Sequence, residues 1–169
     1  LQGRPTRPPR AANRYQPRSR DAEGSAVSSC EDAERVAGTV VAAAVLHQGR
    51  VLAQQRAYPR ATAGRWELPG GRVEQEESVR EALVRECREE LAVEIVPGER
   101  LGPDVPLPGG FLLRVYAARL ADPTAQPVPV EHTALRWVDV AELTDLDWLA
   151  ADRAVLPHLE ALLQATAPR

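Results

Sequence analysis

The chain has 169 residues, 44% hydrophobic and 27% charged, with a formal net charge of −3, which is the composition of one globular domain and not of a fibrous or largely disordered chain. Its longest apolar run, from Val36 to Leu46, is about half of the ~20 residues that a membrane-spanning helix needs, so a membrane protein is excluded. The two cysteines lack a CxxC spacing, which excludes a disulfide scaffold and indicates the reducing cytoplasm. Because all 21 Lys and Arg residues are arginine, every chemistry that requires lysine is excluded too.

The first part of the chain differs from the rest in charge. Residues 1–20 contain six arginines, four prolines and no acid, so the remaining 149 residues carry a net charge of −9. Because they hold few apolar side chains, residues 1–33 are predicted to form a disordered tail, and residues 34–169 the folded domain. A tail without activity of its own and an arm that binds nucleic acid or another acidic partner both fit this pattern. We favour the former and expect no stable nucleic-acid partner, because the acidic domain repels a phosphate backbone.

The predicted elements begin with strands. Segments rich in β-branched and apolar residues, bounded by glycine and proline, predict six strands. These are Val36–Leu46, Arg50–Gln54, Trp66–Leu68, Val93–Val96, Phe111–Leu120 and Leu135–Val138. The first two form a hairpin around the turn His47–Gly49, and Pro69–Gly71 is predicted as a break after the third.

Two helices are predicted between and after these strands. Ser78 and Glu81 form a capping box, which makes Ser78 the N-cap of a helix that runs to about Leu91. A last helix, from about Ala151 to Gln164, carries apolar residues at helical spacing. Strands with helices between and after them predict an α/β layered domain.

The first predicted helix has acids beside its apolar stripe. At about 100° per residue, Glu90 falls between Val79 and Leu83 at the margin of the stripe, where an ionised carboxylate is costly unless a cation meets it. Glu86 and Glu89 precede it by four and one residues and point to the same side. A solvated, salt-bridged face explains acidic helices in general, but not this convergence toward the core. A divalent cation such as Mg²⁺ explains it, because carboxylate oxygens are its preferred ligands.

The spacing of these residues matches a known motif. Gly71, Glu77 and the run Arg85-Glu86-Cys87-Arg88-Glu89-Glu90-Leu91-Ala92-Val93 closely resemble the Nudix box, GX5EX7REUXEEXGU, in which U is aliphatic. Every polar position of the pattern is matched, while Cys87 takes an aliphatic position and Ala92 takes that of the last glycine. If that glycine has a positive φ, alanine there costs about 1 kcal/mol. The resemblance implies the Nudix fold, a mixed β-sheet sandwiched between α-helices.

The same resemblance implies a metal site for Mg²⁺, with Mn²⁺ as a substitute. Its implied ligands are the Gly70 carbonyl oxygen, Glu86, Glu89, Glu90 and Glu131. Within the box, Gly71 and Glu77 are implied to be structural.

Outside the box, the chain resembles the MutT branch of the Nudix hydrolases over about residues 36–163. Trp66–Gly71 looks like the lead-in of that branch, and Arg56 matches its triphosphate-holding arginine. Glu131 matches its auxiliary glutamate on the metal side, and Asp152 matches its base-contacting residue. A surface arginine, a loop acid and a helix N-terminal acid are the alternative interpretations of these three residues.

The activity implied is the hydrolysis of a nucleoside triphosphate, the expected substrate and partner, to the monophosphate and pyrophosphate. Glu86 or Glu131 would take the proton of the attacking water, and Arg56 and Arg72 would stabilise the developing phosphate charge. Arg85 is expected to fix the loop before the helix rather than to touch the substrate.

The nucleobase stays open. An ionised Asp152 only accepts hydrogen bonds, which slightly favours cytosine, although the N1 and N2 hydrogens of guanine could serve equally. Leu101–Leu113 and Trp148 resemble actinobacterial MutT-type proteins that accept cytidine and oxidised guanine nucleotides, so CTP, dCTP and 8-oxo-dGTP are the candidate substrates. ADP-ribose and dinucleoside polyphosphates are the alternative substrates, and a non-catalytic nucleotide-sensing or nucleic-acid-binding module is the alternative class. The sequence does not predict the oligomeric state.

Overall fold

The computed structural model describes residues 38–166, so the predicted tail over residues 1–33 lies outside the described residues. Within them, seven strands and three α-helices follow one another. They are β1 (Thr39–His47), β2 (Arg50–Gln55), β3 (Trp66–Glu67), β4 (Gly70–Arg72), α1 (Val79–Leu91), β5 (Ile95–Pro106), β6 (Leu112–Leu120), β7 (Ala134–Val138), α2 (Ala150–Arg153) and α3 (Leu156–Thr166). None of the helices in this range has the length and apolar character needed to span a bilayer.

The strands form one mixed sheet in the order β3-β2-β1-β6-β5, with β4 also pairing with β1 and β7 with β2. β1 and β6 run parallel, while the other neighbouring strands are antiparallel. The predicted α/β class and the mixed sheet are confirmed.

Alternation along the strands separates two buried layers. Val41 and Ala43 of β1 pack with α1, whereas Ala42 and Ala44 pack on the opposite face with α3. Because successive side chains of a strand point to opposite faces, each strand contributes to both layers. The helices therefore cover both faces of the sheet, and the predicted sandwich is confirmed.

The side chains of β2 alternate between the two layers in the same way, and this strand leads to the site described below. Leu52 lies in the layer beneath α1, while Val51 and Ala53 lie in the layer beneath α3. The strand is joined to β1 by Gln48 and Gly49, which both have positive φ, at 49° and 73°. Positive φ at both central residues is the signature of a tight two-residue hairpin turn.

α1 begins and ends as its sequence predicts. The Ser78 hydroxyl accepts a hydrogen bond from the Glu81 amide at 3.3 Å, and the Glu81 carboxylate accepts one from the Ser78 amide at 2.8 Å. At the other end, Ala92 is the C-cap in the left-handed conformation, with φ 55° and ψ 32°. The expectation of a positive φ at this position of the box is confirmed, and the chain carries the cost of a Cβ there.

The predicted break at Pro69–Gly71 is wrong, because Gly70–Arg72 forms β4, antiparallel to β1. The two glycines allow close approach here and do not interrupt the sheet. A Cβ on Gly70 would stand 2.0 Å from the Val41 carbonyl oxygen, so only glycine fits this place beside β1.

Two other boundaries also differ from the prediction. The fourth predicted strand, Val93–Val96, becomes a strand from Ile95 to Pro106, because two register shifts accommodate its prolines and glycines at the edge of the sheet. The predicted helix Ala151–Gln164 is two helices, which are interrupted between Arg153 and Leu156.

Candidate active site

A cavity of about 360 Å³ opens where β2, β3 and β4 approach the last turn of α1 and the loop before β7. Six of the predicted site residues line it, namely Arg56, Gly70, Gly71, Arg72, Glu90 and Glu131. Glu67 and His132 line it too. Residues far apart in the chain are thus gathered around one concave site.

Glu86 lies directly over Gly71. A Cβ on that glycine would stand 2.2 Å from Glu86 Oε1 and 2.4 Å from its carboxyl carbon. The glycine of the box is therefore required by the carboxylate that occupies its missing side-chain volume. Burial raises the pKa of Glu86, and the Arg85 guanidinium opposes this rise.

Glu90 is the most deeply buried acid of α1, with 8% of its surface exposed. Its Oε2 atom accepts hydrogen bonds from Gln54 Nε2 at 2.9 Å and from the Gly70 amide at 3.0 Å. Burial raises the pKa of Glu90 to about 7, although both hydrogen bonds favour the ionised form. The position at the margin of the stripe is confirmed, and a cation close to Glu90 would offset the cost of its charge.

The Gly70 backbone is oriented toward this carboxylate by the register of β4. On either side of β4, the Ala43 amide donates to the Pro69 carbonyl and the Val73 amide donates to the Thr39 carbonyl, so alternate residues of this segment bond to β1. Gly70 is an intervening residue, and its N–H and carbonyl groups therefore point away from β1. The carbonyl oxygen predicted as a metal ligand lies on the edge that faces the helix.

Arg85 ties the box together. Its Nε and Nη2 atoms donate to the two carboxylate oxygens of Glu77 at 2.8 and 3.0 Å, and Nη2 also donates to the Arg72 carbonyl at 3.0 Å. Its Nη1 atom contacts Glu86 at 2.8 Å and Glu89 at 3.4 Å. The hydrogen bonds between Arg85 and Glu77 lower the pKa of Glu77 and raise that of Arg85. This geometry supports the expectation that Arg85 holds the loop rather than the substrate.

The acids predicted to bind metal are not equally close to one another. Glu86 and Glu90 flank the Gly70–Gly71 segment, whereas the Glu89 side chain is 58% exposed and Glu131 lies exposed in the loop before β7. Over residues 38–166, no three His, Cys, Asp or Glu side chains surround a single point. Glu90, which is buried, and Glu86, which is half-buried, form the centre of the arrangement. The expected convergence of all three helix acids toward the core is wrong for Glu89, which lies with Glu131 at the margin.

The two predicted phosphate-binding arginines have different supports. The Arg56 guanidinium pairs with Glu67 at 2.9 Å and donates through Nε to the Tyr58 carbonyl at 3.2 Å. The Arg72 guanidinium lies over the Phe111 ring, 4.5 Å from its centroid, in a cation–π contact. Both are oriented by protein groups at the rim of the cavity.

Asp152 lies apart from the other predicted residues. It is 5% exposed, and its Oδ1 atom accepts a hydrogen bond from the Leu68 amide at 2.9 Å. Burial raises its pKa to about 7. It is not among the residues that line the cavity, and the contact that the structure shows for it joins α2 to the chain just before β4. Its base-contacting role stays a prediction.

Sequence analysis gave no role to three residues of the site, Gln54, Glu67 and His132. Gln54 orients Glu90, while Glu67 bonds to both Arg56 and His132. The signal for Gln54 is its place in the alternation of β2, two residues after Leu52 and on the same face. No local signal pairs Glu67 with His132, because 65 residues separate them in the chain.

The comparisons with known proteins agree with this geometry. The model of the NUDIX domain matches residues 37–159. A Mycobacterium tuberculosis protein provisionally named 8-oxo-dGTP diphosphatase 2 is 44% identical over 131 residues, which cover 76% of this chain and 92% of that protein. The CTP pyrophosphohydrolase of Escherichia coli is 37% identical over 130 residues, which cover 77% of this chain and 94% of the relative.

Among solved structures, that of the E. coli ORF135 protein superposes with a TM-score of 0.63 at 35% identity. The match covers 78% of this chain and 94% of the other. The box, the fold and these matches lead to one conclusion: the chain belongs to the NUDIX family.

Proposed function

We propose that this protein hydrolyses nucleoside triphosphates to the monophosphate and pyrophosphate, in the manner of the MutT-type enzymes. The observation that carries the proposal is the pair of acids at Gly70–Gly71, the buried Glu90 and the half-buried Glu86, beside a cavity whose rim bears Arg56 and Arg72. Carboxylates for a divalent cation and arginines for phosphate oxygens are the two requirements of such a reaction. The names of the relatives, an 8-oxo-dGTP diphosphatase and a CTP pyrophosphohydrolase, support the same class of substrate. The cytoplasm, which holds these nucleotides, is the proposed compartment.

The residues present fit a divalent cation, which we propose to be Mg²⁺ with Mn²⁺ as a substitute. Glu86, Glu89, Glu90, Glu131 and the Gly70 carbonyl oxygen would hold it, because all five offer the hard oxygen atoms that Mg²⁺ prefers. The missing side chain of Gly71 leaves the space in which Glu86 lies. When bound, the cation supplies neutralisation of phosphate charge and activation of water.

The side chains of the protein perform the other parts of the reaction. Glu86 or Glu131 accepts the proton of the water that attacks phosphorus, while the oxygen bridge between the α- and β-phosphorus atoms breaks to give the monophosphate and pyrophosphate. Burial raises the pKa of Glu86, which makes it a stronger proton acceptor than an exposed carboxylate. Arg56 and Arg72 stabilise the negative charge that develops on the phosphate oxygens. Arg85 holds the loop and Glu86 in place.

The candidate substrates are CTP, dCTP and 8-oxo-dGTP. A panel of dCTP, CTP, 5-methyl-dCTP, 8-oxo-dGTP and dGTP, assayed with Mg²⁺ for pyrophosphate and orthophosphate separately, tests both the base and the bond that is cleaved. We expect pyrophosphate as the first product from at least one of these nucleotides. Orthophosphate as the sole first product would refute the proposed reaction.

The metal assignment has its own test in Glu90→Gln, which keeps the size of the side chain but removes its charge. We expect this variant to lose Mg²⁺-dependent turnover and to bind Mn²⁺ more weakly in an electron paramagnetic resonance titration. The matched control is Glu94→Gln, an exposed acid that pairs with Arg88 beyond the end of α1. Unchanged turnover and Mn²⁺ affinity in Glu90→Gln would remove Glu90 from the site.

A further inference from the structure

Three side chains on one wall of the cavity form a series joined by hydrogen bonds, from His132 through Glu67 to Arg56. His132 Nε2 lies 2.9 Å from Glu67 Oε1, and Arg56 Nη1 lies 2.9 Å from Glu67 Oε2. The side chains become more exposed along this series, from 8% for His132 to 16% for Glu67 and 30% for Arg56. All three line the cavity. The buried end of the series is the histidine, and the end that reaches the open cavity is the arginine.

We propose that His132 is a positioning residue, which acts through Glu67 to hold the Arg56 guanidinium in the cavity. The proposal rests on the proposed function, because it assumes that Arg56 contacts the phosphates of the nucleotide. It adds a second layer of residues behind that contact.

The hydrogen-bonding state of His132 follows from its other ring nitrogen. Nδ1 is buried and has no hydrogen-bond partner within the described part of the chain. A hydrogen on Nδ1 would be an unpaired buried donor, which is more costly than an unpaired lone pair. The tautomer with its hydrogen on Nε2 is therefore favoured, and that hydrogen is donated to Glu67.

Glu67 is held between two donors by the sheet. Its register partner across the β2–β3 pair is Gln54, so Glu67 lies on the same face of the sheet as Gln54, the face that is turned toward Glu90 of α1. Each of its carboxylate oxygens accepts a hydrogen bond from a different segment of the chain. Movement of this carboxylate away from Arg56 would break the bond to His132 as well.

The loop that carries His132 is anchored to the opposite edge of β2. The Thr133 amide donates to the Gln55 carbonyl at 2.9 Å, and the Thr133 hydroxyl donates to the same oxygen at 3.2 Å. The ring is therefore fixed relative to the strand that ends just before Arg56. Both ends of the series are tied to β2.

Arg56 is left with one nitrogen for a ligand. Nη1 donates to Glu67 and Nε donates to the Tyr58 carbonyl, so within residues 38–166 Nη2 is the nitrogen not committed to a protein acceptor. An arginine held at two of its nitrogen atoms loses little further side-chain entropy when it binds phosphate. Loss of the bond to His132 would allow the Glu67 carboxylate to move, and the Arg56 guanidinium would then lose its fixed orientation.

The test is the affinity for an α,β-methylene analogue of the best substrate in the panel, measured by calorimetry with Mg²⁺ present. The variants are His132→Leu, Arg56→Gln and the double variant, with the free energy of unfolding measured for each. We expect His132→Leu to raise the Kd about 10-fold, the size of coupling typical of residues in one network. In the Arg56→Gln background the same change should have no further effect, because the residue on which His132 acts has been altered.

His132→Gln is the matched control, because its amide nitrogen can still donate to Glu67, and we expect it to restore most of the affinity. If His132→Leu does not fold, His132→Asn replaces it, since its shorter amide does not reach Glu67. The positioning role would be overturned if His132→Leu and Arg56→Gln raised the Kd additively, or if Arg56→Gln raised the Kd and His132→Leu did not. Either result would leave the proposed function standing. No effect of Arg56→Gln would instead refute the phosphate contact on which the proposed function depends.

Discussion

Replacement of Gly71 with alanine adds one methyl group at the point where the site is most crowded. The new Cβ would stand 2.2 Å from Glu86 Oε1, whereas real Cβ atoms essentially never come within 3.0 Å of another heavy atom. The Glu86 carboxylate must therefore move by about 1 Å, a misplacement that typically costs about 100-fold in rate. We expect kcat to fall by about that factor.

The fold should tolerate the same change. The atom displaced is the end of a flexible side chain, and Gly71 lies in a strand at a φ outside the positive range. The added Cβ also restricts the unfolded chain, so the free energy of unfolding should stay within about 1 kcal/mol of the original value. Activity and stability should therefore separate in this variant.

The assay is pyrophosphate release under saturating nucleotide, together with urea unfolding. Gly98→Ala in β5 is the matched control, and we expect it to keep its kcat. Its Cβ would stand 3.2 Å from the Ala117 carbonyl oxygen, and Gly98 is not among the residues that line the cavity. A Gly71→Ala enzyme with unchanged kcat would show that Glu86 does not need its place over the glycine. A large loss of stability would show that the methyl group displaces the backbone of β4 instead.

Three further changes test other parts of the structure. Ala92→Gly should raise the free energy of unfolding by about 1 kcal/mol in urea without changing kcat, because glycine adopts a φ of 55° without the Cβ penalty; no gain in stability would contradict this. Folding raises the pKa of Asp152 from 3.8 to about 7, so this acid destabilises the protein as the pH rises through that interval. The free energy of unfolding of Asp152→Asn, measured in urea, should therefore equal that of the original protein near pH 3.5 and exceed it by at most about 4 kcal/mol at pH 8. A difference that does not change with pH would refute the burial cost. Gln54→Leu, which removes a hydrogen-bond donor from Glu90, should weaken Mn²⁺ binding about 10-fold in a paramagnetic resonance titration, and an unchanged affinity would show that Glu90 needs no such support.

The part of the site on α1 could be predicted because its signals are local. The capping box, the helical period and the spacing of the acids all lie within one short segment, and each depends on neighbours along the chain. The wheel position of Glu90 gave its burial, and the glycine position of the box gave the positive φ of Ala92. Such features need no knowledge of the sheet.

The features that sequence analysis missed depend on contacts between distant segments. From the sequence, Gly70 and Gly71 predict an interruption between elements. In the structure, glycine is required at both positions, because a Cβ on Gly70 would meet the β1 backbone and a Cβ on Gly71 would meet Glu86. Glu67 and His132 meet across β2 from separate parts of the chain. The irregular edge strand β5 was also underestimated, since proline is tolerated where a strand has a free edge.

The short turn at Gln48–Gly49 has a consequence for protein engineering. It fixes the register of β2, and a slip of one residue would rotate every side chain of that strand to the other face. Gln54 would then leave Glu90, while the alanine before it would come to face the cavity. A loop so exposed is an obvious place for an inserted tag or fused domain, but an insertion there would put catalysis at risk before it unfolded the protein. The exposed turn at Asp122–Thr124, just after β6, is the better position for such a fusion, because the later residues of that loop bond to the end of α1.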